Sequence, residues 1–299
     1  IQPEWLGSEG SSIYLKPGEQ ITLKALLYGL LLQSGNDAAM AIACFVAGDE
    51  ASFVELMNQK AWELGMDHSS FANPSGLNHE DHYSTAYDMA LLACTCLENE
   101  TVADICSTRT ITIEGRTFAN HNRLLYQYEG CVGMKTGYTE RAGRTLVSAA
   151  RRDGQTLVCV TLNDGNDWKD HASLLDYGFS TYPRVILCEK GQTFGGLPVS
   201  GSLLTAVEAV AAREVSFPLM EGEELELEVD LTDAVQAPIS AGTVMGTAWW
   251  KLDGQAVGYT GLVCASGAGL DLYEPDNWWD HLWSALRGHA EYGFGARLV

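Results

Sequence analysis

Basic side chains are scarce in this sequence. Its 299 residues include 18 Lys and Arg against 39 Asp and Glu, which gives a formal net charge of −21 at pH 7. Such a charge repels phosphate backbones, so nucleic acid is excluded as an expected partner. A net charge of this size affects solubility and does not indicate which fold the chain adopts.

Long apolar runs and paired cysteines are also missing. No stretch reaches the roughly 18 apolar residues of a membrane-spanning helix. The eight cysteines are scattered without a C-x-x-C pair, so we expect buried free thiols rather than a disulfide framework. The first residues contain neither Met nor a basic region, so no signal peptide is recognised. We interpret the chain as a mature form, an engineered piece or a fragment of something longer.

Metal-binding side chains give only a weak signal. His79 and His82 stand three residues apart in "NHEDHYS", and no further His or Cys set accompanies them. A polar loop is therefore favoured over a metal site at this position. We predict neither a metal nor an organic cofactor.

Apolar residues recur at helical spacing in the first hundred residues. The predicted helices cover 20–33, 37–48, 50–65 and 84–97. Thr22 is expected to cap the first helix, and Asn36 or Asp37 the second. Thr85 and Asp88 predict a capping box on the fourth.

From about residue 108 the apolar pattern changes to the alternation of β-strands. Tight turns are indicated at Glu114-Gly115 and Asp153-Gly154, and an amphipathic helix follows at 167–182. After residue 184 short alternating runs dominate, as in a small all-β domain. The whole pattern predicts an α+β fold. Its predicted parts are 1–183, a β-rich domain at 184–276, and a C-terminal helix or tail at 277–299.

Two short polar stretches interrupt this pattern. Ser34-Gly35-Asn36 separates two apolar helices, and Lys135-Thr136-Gly137 enters a strand that leads into the second hairpin. Lys135 would place a positive charge beside an anionic substrate, and Thr136 would offer its hydroxyl to a carboxylate. Gly137 would leave room for a ligand against the strand edge. Each tripeptide alone is weak evidence for a substrate-binding site. The two together, the first between helices and the second on a later strand, are more specific evidence.

With Ser-x-x-Lys, these tripeptides make up the motif set of class A β-lactamases and penicillin-binding proteins. The surrounding text, including "GSSIYLKPGEQITLKALLYGLLLQSGNDAA" and "GMKTGYTERAGRTLVSAARRDG", resembles the serine-type D-Ala-D-Ala carboxypeptidases, the low-molecular-mass penicillin-binding proteins. "APISAGTVMG" resembles their second domain. The resemblance covers nearly the whole chain except its C-terminal end. It implies a β-lactamase-like transpeptidase domain, incomplete at its N-terminus, followed by a small all-β domain.

The resemblance also implies a role for each motif residue. Ser34 corresponds to the hydroxyl that relays a proton to the departing amine, and Asn36 to the amide that holds the substrate's peptide carbonyl. Lys135 corresponds to the cation that tunes the proton network and attracts the C-terminal carboxylate, with Thr136 as its hydroxyl partner. The backbone N–H of Tyr138 corresponds to half of an oxyanion hole.

The third motif of the set is absent. No lysine of the chain has a serine three residues before it, although the family's nucleophile lies in Ser-x-x-Lys, where the amine reaches the hydroxyl. In the family this motif precedes the segment that corresponds to the start of this chain. We therefore expect the sequence to start downstream of the catalytic serine, and we predict that the chain alone is inactive.

The function that the resemblance implies is removal of the terminal D-Ala from peptidoglycan stem peptides through an acyl-enzyme. The implied ligands are stem peptides and β-lactam antibiotics, and the implied location is the cell envelope, outside the cytoplasm. Two alternatives stay open. One is a β-lactamase-like hydrolase, which the SGN triplet and the β-rich domain disfavour. The other is a non-catalytic peptidoglycan-binding remnant, which agrees with the missing Ser-x-x-Lys.

Tryptophans near the C-terminus raise the question of a membrane contact. Some family members carry a C-terminal amphipathic anchor, and "NWWDHLWSALRGHAEY" resembles one loosely, because its acidic side chains disfavour an anionic surface. A peripheral membrane contact through the C-terminus therefore remains an alternative. For the tryptophans, a packing role in cores and domain interfaces is favoured over a role in carbohydrate binding. They are Trp249, Trp250, Trp278, Trp279 and Trp283.

Overall fold

The structure is a computed structural model that describes residues 1–7 and 9–271. The chain divides into two compact units, one spanning Ile1–Thr181 and one beginning at Tyr182. The predicted C-terminal helix at 277–299 lies outside the described residues. Among the described residues, no helix is long and apolar enough to cross a membrane.

The α-helices that the structure describes lie in the first unit. They are α1 Leu23–Gln33, α2 Asn36–Ala47, α3 Glu50–Glu63, α4 Ala86–Glu98, α5 Glu100–Ser107, α6 Leu124–Gln127 and α7 Asp167–Thr181. The helices expected from apolar spacing are confirmed. Thr22 caps α1 as expected, because its Oγ1 accepts a hydrogen bond from the N–H of Ala25 at 3.2 Å. α5 and α6 were not predicted, since two turns or fewer carry little periodic signal.

The junction between α1 and α2 differs from its prediction. Ser34 ends α1 in the left-handed conformation, with φ 55° and ψ 38°. Gly35 is the N-cap of α2 and Asn36 is already its first helical residue. The prediction that Asn36 or Asp37 caps α2 is therefore wrong. Both side chains bond to a distant segment of the chain instead.

The start of α4 shows half of the predicted capping box. Thr85 Oγ1 accepts from the N–H of Asp88 at 3.1 Å, as expected. The carboxylate of Asp88, however, accepts from Ser69 Oγ at 2.7 Å and from the His68 N–H at 3.0 Å. The reciprocal half is wrong because Asp88 is buried under the 68–69 loop, which supplies its partners.

Antiparallel strands complete the first unit. They are β1 Thr110–Ile113, β2 Arg116–Ala119, β3 Cys131–Thr139, β4 Gly143–Arg152 and β5 Gln155–Leu162. β1 pairs with β2, and the other three form a sheet in the order β3-β4-β5. Both predicted hairpins are confirmed. Their turn residues have positive φ, 50° and 75° at Glu114-Gly115 and 48° and 77° at Asp153-Gly154, as tight turns of type I′ require.

The three-stranded sheet lies between helices. Ala149 belongs to a cluster with Met134 and with Ala93 of α4, whereas the next residue, Ala150, packs with Leu175 of α7. Consecutive strand residues point to opposite faces, so helices cover both sides of this sheet. A further apolar cluster joins Ile13 and Leu15 to α1 and α2. The first unit is thus the α+β domain expected from the sequence.

The cysteines are free thiols in different surroundings. All eight are unpaired. Cys106, Cys159, Cys188 and Cys264 are buried, which agrees with the prediction. Cys94 is exposed on α4, so the expectation of burial is wrong for this residue.

The second unit consists of strands throughout its described part. They are β6 Arg184–Cys188, β7 Thr193–Ser200, β8 Ala206–Ala211, β9 Val215–Pro218, β10 Glu226–Leu231, β11 Val235–Gln236, β12 Val244–Leu252 and β13 Gln255–Cys264. Six of them form a sheet in the order β10-β12-β13-β8-β7-β11, and β6 pairs with β9. One face is packed around Leu262, Ala248 and Trp250. The predicted all-β domain is confirmed.

A histidine is fully buried between α7 and the three-stranded sheet. His171 Nδ1 lies 2.6 Å from Ser148 Oγ on β4, and its Nε2 lies 3.0 Å from Thr161 Oγ1 on β5. Burial lowers the pKa of His171, and the nearby acids Asp167, Asp164 and Asp170 oppose this shift only in part. The folded chain therefore favours the neutral imidazole.

We expect the free energy of unfolding to decline as the pH falls below about 6.5, the ordinary pKa of histidine. Below that pH the unfolded chain binds a proton that folded His171 resists, so protonation favours unfolding. The substitution His171→Gln should make this decline shallower. At pH 7.5 it should cost about 1–3 kcal/mol through the altered buried hydrogen bonds.

Urea unfolding at pH 7.5 and pH 5.5 measures both effects. The control is His79→Gln, since His79 lies on an exposed loop with half of its side chain accessible. The control should keep the wild-type decline. A His171→Gln protein with the full wild-type decline would contradict the assignment.

Candidate active site

The two polar tripeptides meet in space. Lys135 of β3 donates a hydrogen bond from Nζ to Ser34 Oγ at the end of α1, across 101 residues of sequence. The same Nζ donates to the carbonyl oxygen of Thr136 at 2.7 Å. The left-handed backbone of Ser34, uncommon for a residue with a side chain, places its hydroxyl beside β3. The folded chain therefore brings the two motifs together through Ser34 and Lys135.

Lys135 is a cation in unusual surroundings. Removal from water lowers its pKa to about 8, and the neighbouring Cys106 thiol opposes this shift only weakly. The ammonium is therefore charged at neutral pH but loses its proton more readily than an exposed lysine. An anionic ligand beside it would favour the charged form.

Asn36 holds the segment that precedes α1. Its backbone N–H donates to the Ser11 carbonyl at 2.8 Å, and its Nδ2 donates to the carbonyl of Glu9. The side chain is largely buried. Its Oδ1 and the remaining hydrogen of Nδ2 are still suited to a peptide group, so the amide can serve the fold and a ligand together.

Asp37 has a structural role that the sequence did not indicate. It was expected as a helix cap, yet its buried carboxylate holds residues 12–15. Oδ2 accepts from Ser12 Oγ at 2.7 Å and from the Leu15 N–H at 3.0 Å. Oδ1 accepts from the N–H groups of Ile13 at 2.9 Å and Ala38 at 3.0 Å. A short acidic side chain just after a Ser-Gly-Asn turn gave no signal that it would bind a segment 25 residues upstream.

Two glycines of the motifs, Gly35 and Gly137, lie so close to neighbouring side chains that little room is left for a Cβ. A Cβ on Gly35 would lie 3.0 Å from Ile13 Cγ2 and 3.1 Å from Asp37 Oδ1, so the turn accepts no larger residue without a shift. A Cβ on Gly137 would collide with Oγ1 of Thr145, its partner on β4. Contact between paired strands therefore requires a glycine at position 137, and the role of Gly137 in leaving room for a ligand stays a prediction.

The end of β3 presents the remaining motif residues. Thr136 is partly buried, whereas Gly137 and the Tyr138 side chain are exposed, Tyr138 to 69%. β3 is the outer strand of its three-stranded sheet, so one of its backbone edges faces away from β4. Thr139 Oγ1 donates to Asn78 Oδ1 at 2.9 Å, which brings the loop around Asn78 beside this strand.

His121 also belongs to these surroundings, although no role was predicted for it. Its backbone N–H donates to the carbonyl of Leu32 at 3.3 Å, two residues before Ser34. Burial lowers its pKa, and the charge of Lys135 lowers it further. A single histidine between two asparagines, Asn120 and Asn122, is too weak a sequence signal to indicate this position.

The loop with two histidines does not assemble a metal site. His79 Nδ1 accepts from the N–H of Asp81 at 3.1 Å, and His82 Nδ1 accepts from the N–H of Ala72 at 3.3 Å. No group of three or more candidate metal ligands occurs among residues 1–7 and 9–271. Both imidazoles accept backbone hydrogen bonds within this loop region.

The Asp37 contacts lead to a prediction about residues 12–15. In Asp37→Asn, the amide nitrogen would face the Leu15 N–H, so two donors would meet where a carboxylate now accepts. Hydrogen bonds to charged groups contribute about 1.5–3 kcal/mol. Amide exchange at Leu15 should therefore become roughly ten- to a hundredfold faster. Hydrogen–deuterium exchange of the 9–20 peptides measures this change.

Asp81→Asn is the matched control, because the Asp81 side chain is 75% exposed. It should leave exchange at residues 12–15 unchanged. Equal protection of Leu15 in the wild type and in Asp37→Asn would show that the carboxylate does not hold this segment.

Comparison with known proteins agrees with this arrangement. Residues 2–166 match the family model described as D-alanyl-D-alanine carboxypeptidase. Residues 182–267 match the model described as penicillin-binding protein 5, C-terminal domain. The first match contains the Ser34–Lys135 site, and the second covers the all-β domain.

Individual relatives agree as well. The chain is 35% identical over 83% of its length to D-alanyl-D-alanine carboxypeptidase DacF of Bacillus subtilis, covering 67% of that protein. It is 32% identical over 96% of its length to DacC of Escherichia coli, covering 73% of it. Penicillin binding protein 5 from Haemophilus influenzae has a similar structure, with a TM-score of 0.63 and 27% identity over 87% of this chain and 78% of that one. On these matches, the chain belongs to the D-alanyl-D-alanine carboxypeptidase family.

Proposed function

We propose that the Ser34–Lys135 site binds the D-Ala-D-Ala end of peptidoglycan stem peptides and is part of a serine-type carboxypeptidase that releases the last D-Ala. The observation that carries this proposal is the hydrogen bond from Lys135 to Ser34, which joins the two motifs into one site. Such an enzyme acts outside the cytoplasm, where peptidoglycan is found. β-Lactam antibiotics would bind at the same place.

Each proposed role follows from the chemistry of the group. The charge of Lys135 and the hydroxyl of Thr136 would bind the terminal carboxylate of the substrate. Asn36 would bind the preceding peptide group. The N–H of Tyr138 would donate to the oxyanion that forms during attack, an interaction worth about 3 kcal/mol of barrier.

Proton transfer would pass through Ser34. Its hydroxyl already accepts from Lys135, so it can donate its own hydrogen to a basic atom on the other side. The lowered pKa of Lys135 suits this task, because a group that titrates near 8 exchanges protons readily at neutral pH. The departing amine of D-Ala would receive the proton.

The nucleophile is the part of the mechanism that these residues do not contain. No Ser-x-x-Lys occurs in the sequence, and a serine hydroxyl without an adjacent base is a weak nucleophile. The 299 residues thus contain two of the three catalytic elements. A binding role without catalysis is the second proposal for this chain by itself, supported by the same absence.

We expect the 299-residue chain to form no covalent adduct with penicillin. Intact-mass spectrometry after incubation with the drug measures this, with a complete carboxypeptidase of the family as the positive control. A stoichiometric adduct on this chain would identify a nucleophilic serine other than one in Ser-x-x-Lys. It would contradict the assignment of Ser34 to proton relay alone.

Reversible binding should depend on pH through Lys135. N-acetyl-D-Ala-D-Ala keeps its carboxylate ionised above pH 5, while Lys135 loses its charge around pH 8. Affinity should therefore fall about tenfold between pH 7 and pH 9. Calorimetric titration at both pH values measures it, and the dipeptide amide, which lacks the carboxylate, should show no such fall.

The variant Lys135→Gln should bind the dipeptide weakly at both pH values. Lys169→Gln, which changes an exposed lysine on α7, is the matched control and should behave as the wild type. Binding by Lys135→Gln with wild-type affinity would overturn the proposed role of Lys135 as the carboxylate-binding group.

A further inference from the structure

The outer face of the sheet in the second unit carries a row of stacked side chains. Trp249 of β12 and Tyr259 of β13 are register partners, and their ring centroids lie 4.8 Å apart at an interplanar angle of 29°. The guanidinium carbon of Arg213 lies 4.7 Å from the centre of the Tyr259 ring. Trp250 and Ala248, the neighbours of Trp249, are buried on the other face.

This row is accessible to a ligand. Trp249 is 36% exposed and Tyr259 49% exposed, so part of each side chain is open to solvent. They border a cavity of about 550 Å³ whose other walls include β9 and the start of β13. Gly258 packs closely against Val215, because a Cβ on Gly258 would lie 2.8 Å from Val215 Cγ1.

Polar groups surround the rings. Arg213 Nη2 donates to the Tyr259 carbonyl at 2.8 Å, which accounts for one of the five N–H donors of a guanidinium. Glu214 forms an ion pair with Arg184, whose Nε also donates to Ser216 Oγ at 2.9 Å. Glu214 and Ser216 both line the cavity. The site therefore combines aromatic surface with fixed hydrogen-bonding groups, as small-ligand sites do.

The surrounding charge selects among ligands. Glu228 of the outer strand β10 is the register partner of Trp249, and Glu226 that of Lys251. β10 is exposed, and the chain as a whole is strongly acidic. Glu228 forms an ion pair with Lys251, as Glu214 does with Arg184, so the charges beside the rings largely cancel. Anionic lipid surfaces attract basic segments, and this face does not present one. A neutral ligand with apolar C–H faces and many hydroxyl or amide groups fits better.

We propose that the Trp249–Tyr259–Arg213 pocket is a binding site for the glycan strand of peptidoglycan, that is, for a neutral chain of N-acetylated sugars. The C–H groups of a sugar ring would contact the part of the Trp249 ring face that Tyr259 leaves uncovered. The sugar's hydroxyl and acetamide groups would bond to Arg213, Glu214 and Ser216. This inference rests on the proposed function, since it concerns the polymer that carries the stem peptides. It assigns the second domain a role in retaining that polymer.

A purely structural role makes a different prediction. Cross-strand aromatic pairs stabilise a sheet by about 0.2–1 kcal/mol whether or not a ligand is present. If Trp249, Tyr259 and Arg213 only stabilise the sheet, substituting them would change the stability of the domain. Neither the wild type nor any variant would then bind the sugar. A glycan site requires that the wild type bind and that the row determine the affinity.

The experiment uses the 299-residue chain and a β-1,4-linked N-acetylglucosamine tetramer as the probe. NMR of the wild type follows the indole N–H signals, and the Trp249 signal should shift on titration. The signal of Trp62, a 77% exposed tryptophan on α3, should not. Trp249→Ala should weaken binding about tenfold or more, the loss expected for one aromatic stacking contact. Trp62→Ala should bind as the wild type.

Arg213→Gln provides a second variant that leaves both rings in place, and it should also weaken binding. Thermal unfolding of each variant establishes that it is folded. An unmoved Trp249 signal in the wild type, or equal affinities of the wild type and a folded Trp249→Ala, would overturn the proposal. Binding to anionic phospholipid vesicles in place of the tetramer, lost in Trp249→Ala, would also overturn it and assign the pocket to a membrane surface.

Lys135→Gln separates this inference from the proposed function. It should weaken binding of N-acetyl-D-Ala-D-Ala and leave tetramer binding unchanged. Dipeptide binding without tetramer binding would overturn the glycan site and leave the proposed function standing. Tetramer binding without any dipeptide binding would support the glycan site and overturn the proposed function.

Discussion

The carboxylate of Asp37 is the constraint on which the candidate site depends. Buried and bonded to Ser12, Ile13, Leu15 and Ala38, it fixes the segment 12–15 against the start of α2. A buried charge without such partners would be costly, so the segment and the helix are stable in this arrangement only together. Ile13, held in place this way, lies where any Cβ on Gly35 would collide. The sharp turn that ends in Asn36, with Ser34 in its left-handed conformation, follows from this packing.

The second constraint is the partial burial of Lys135. Its ammonium is removed from water and bonded to neutral oxygens of Ser34 and Thr136, which explains a pKa near 8. Neither oxygen neutralises the charge, so an anionic ligand would gain from binding there. The same feature makes the lysine a suitable partner in proton transfer through Ser34. Substrate binding and proton transfer thus have one structural origin in the proposed function.

The two domains use their surfaces differently. In the first, the motif residues lie where helix ends meet the outer strand of a small sheet, a place where backbone groups and polar side chains can both reach a ligand. In the second, one face of the sheet is packed around Trp250 and Leu262, and the other carries the exposed row of Trp249, Tyr259 and Arg213. A polymer with both peptide and sugar parts offers a ligand for each surface.

The sequence by itself determined the features that depend on near neighbours. Asp153-Gly154 forms a hairpin turn because few residue pairs accept positive φ at both positions. Thr22 caps α1 because a hydroxyl there reaches an N–H three residues on. Tertiary structure decided the features that depend on distant partners. Asp37 and Asp88 looked like helix-start residues, yet segments 12–15 and 68–69 gave them buried partners. Ser34 and Lys135 were each identified by motif, but their contact, and the lowered pKa of Lys135, required packing to bring residues 101 positions apart together and exclude water around them.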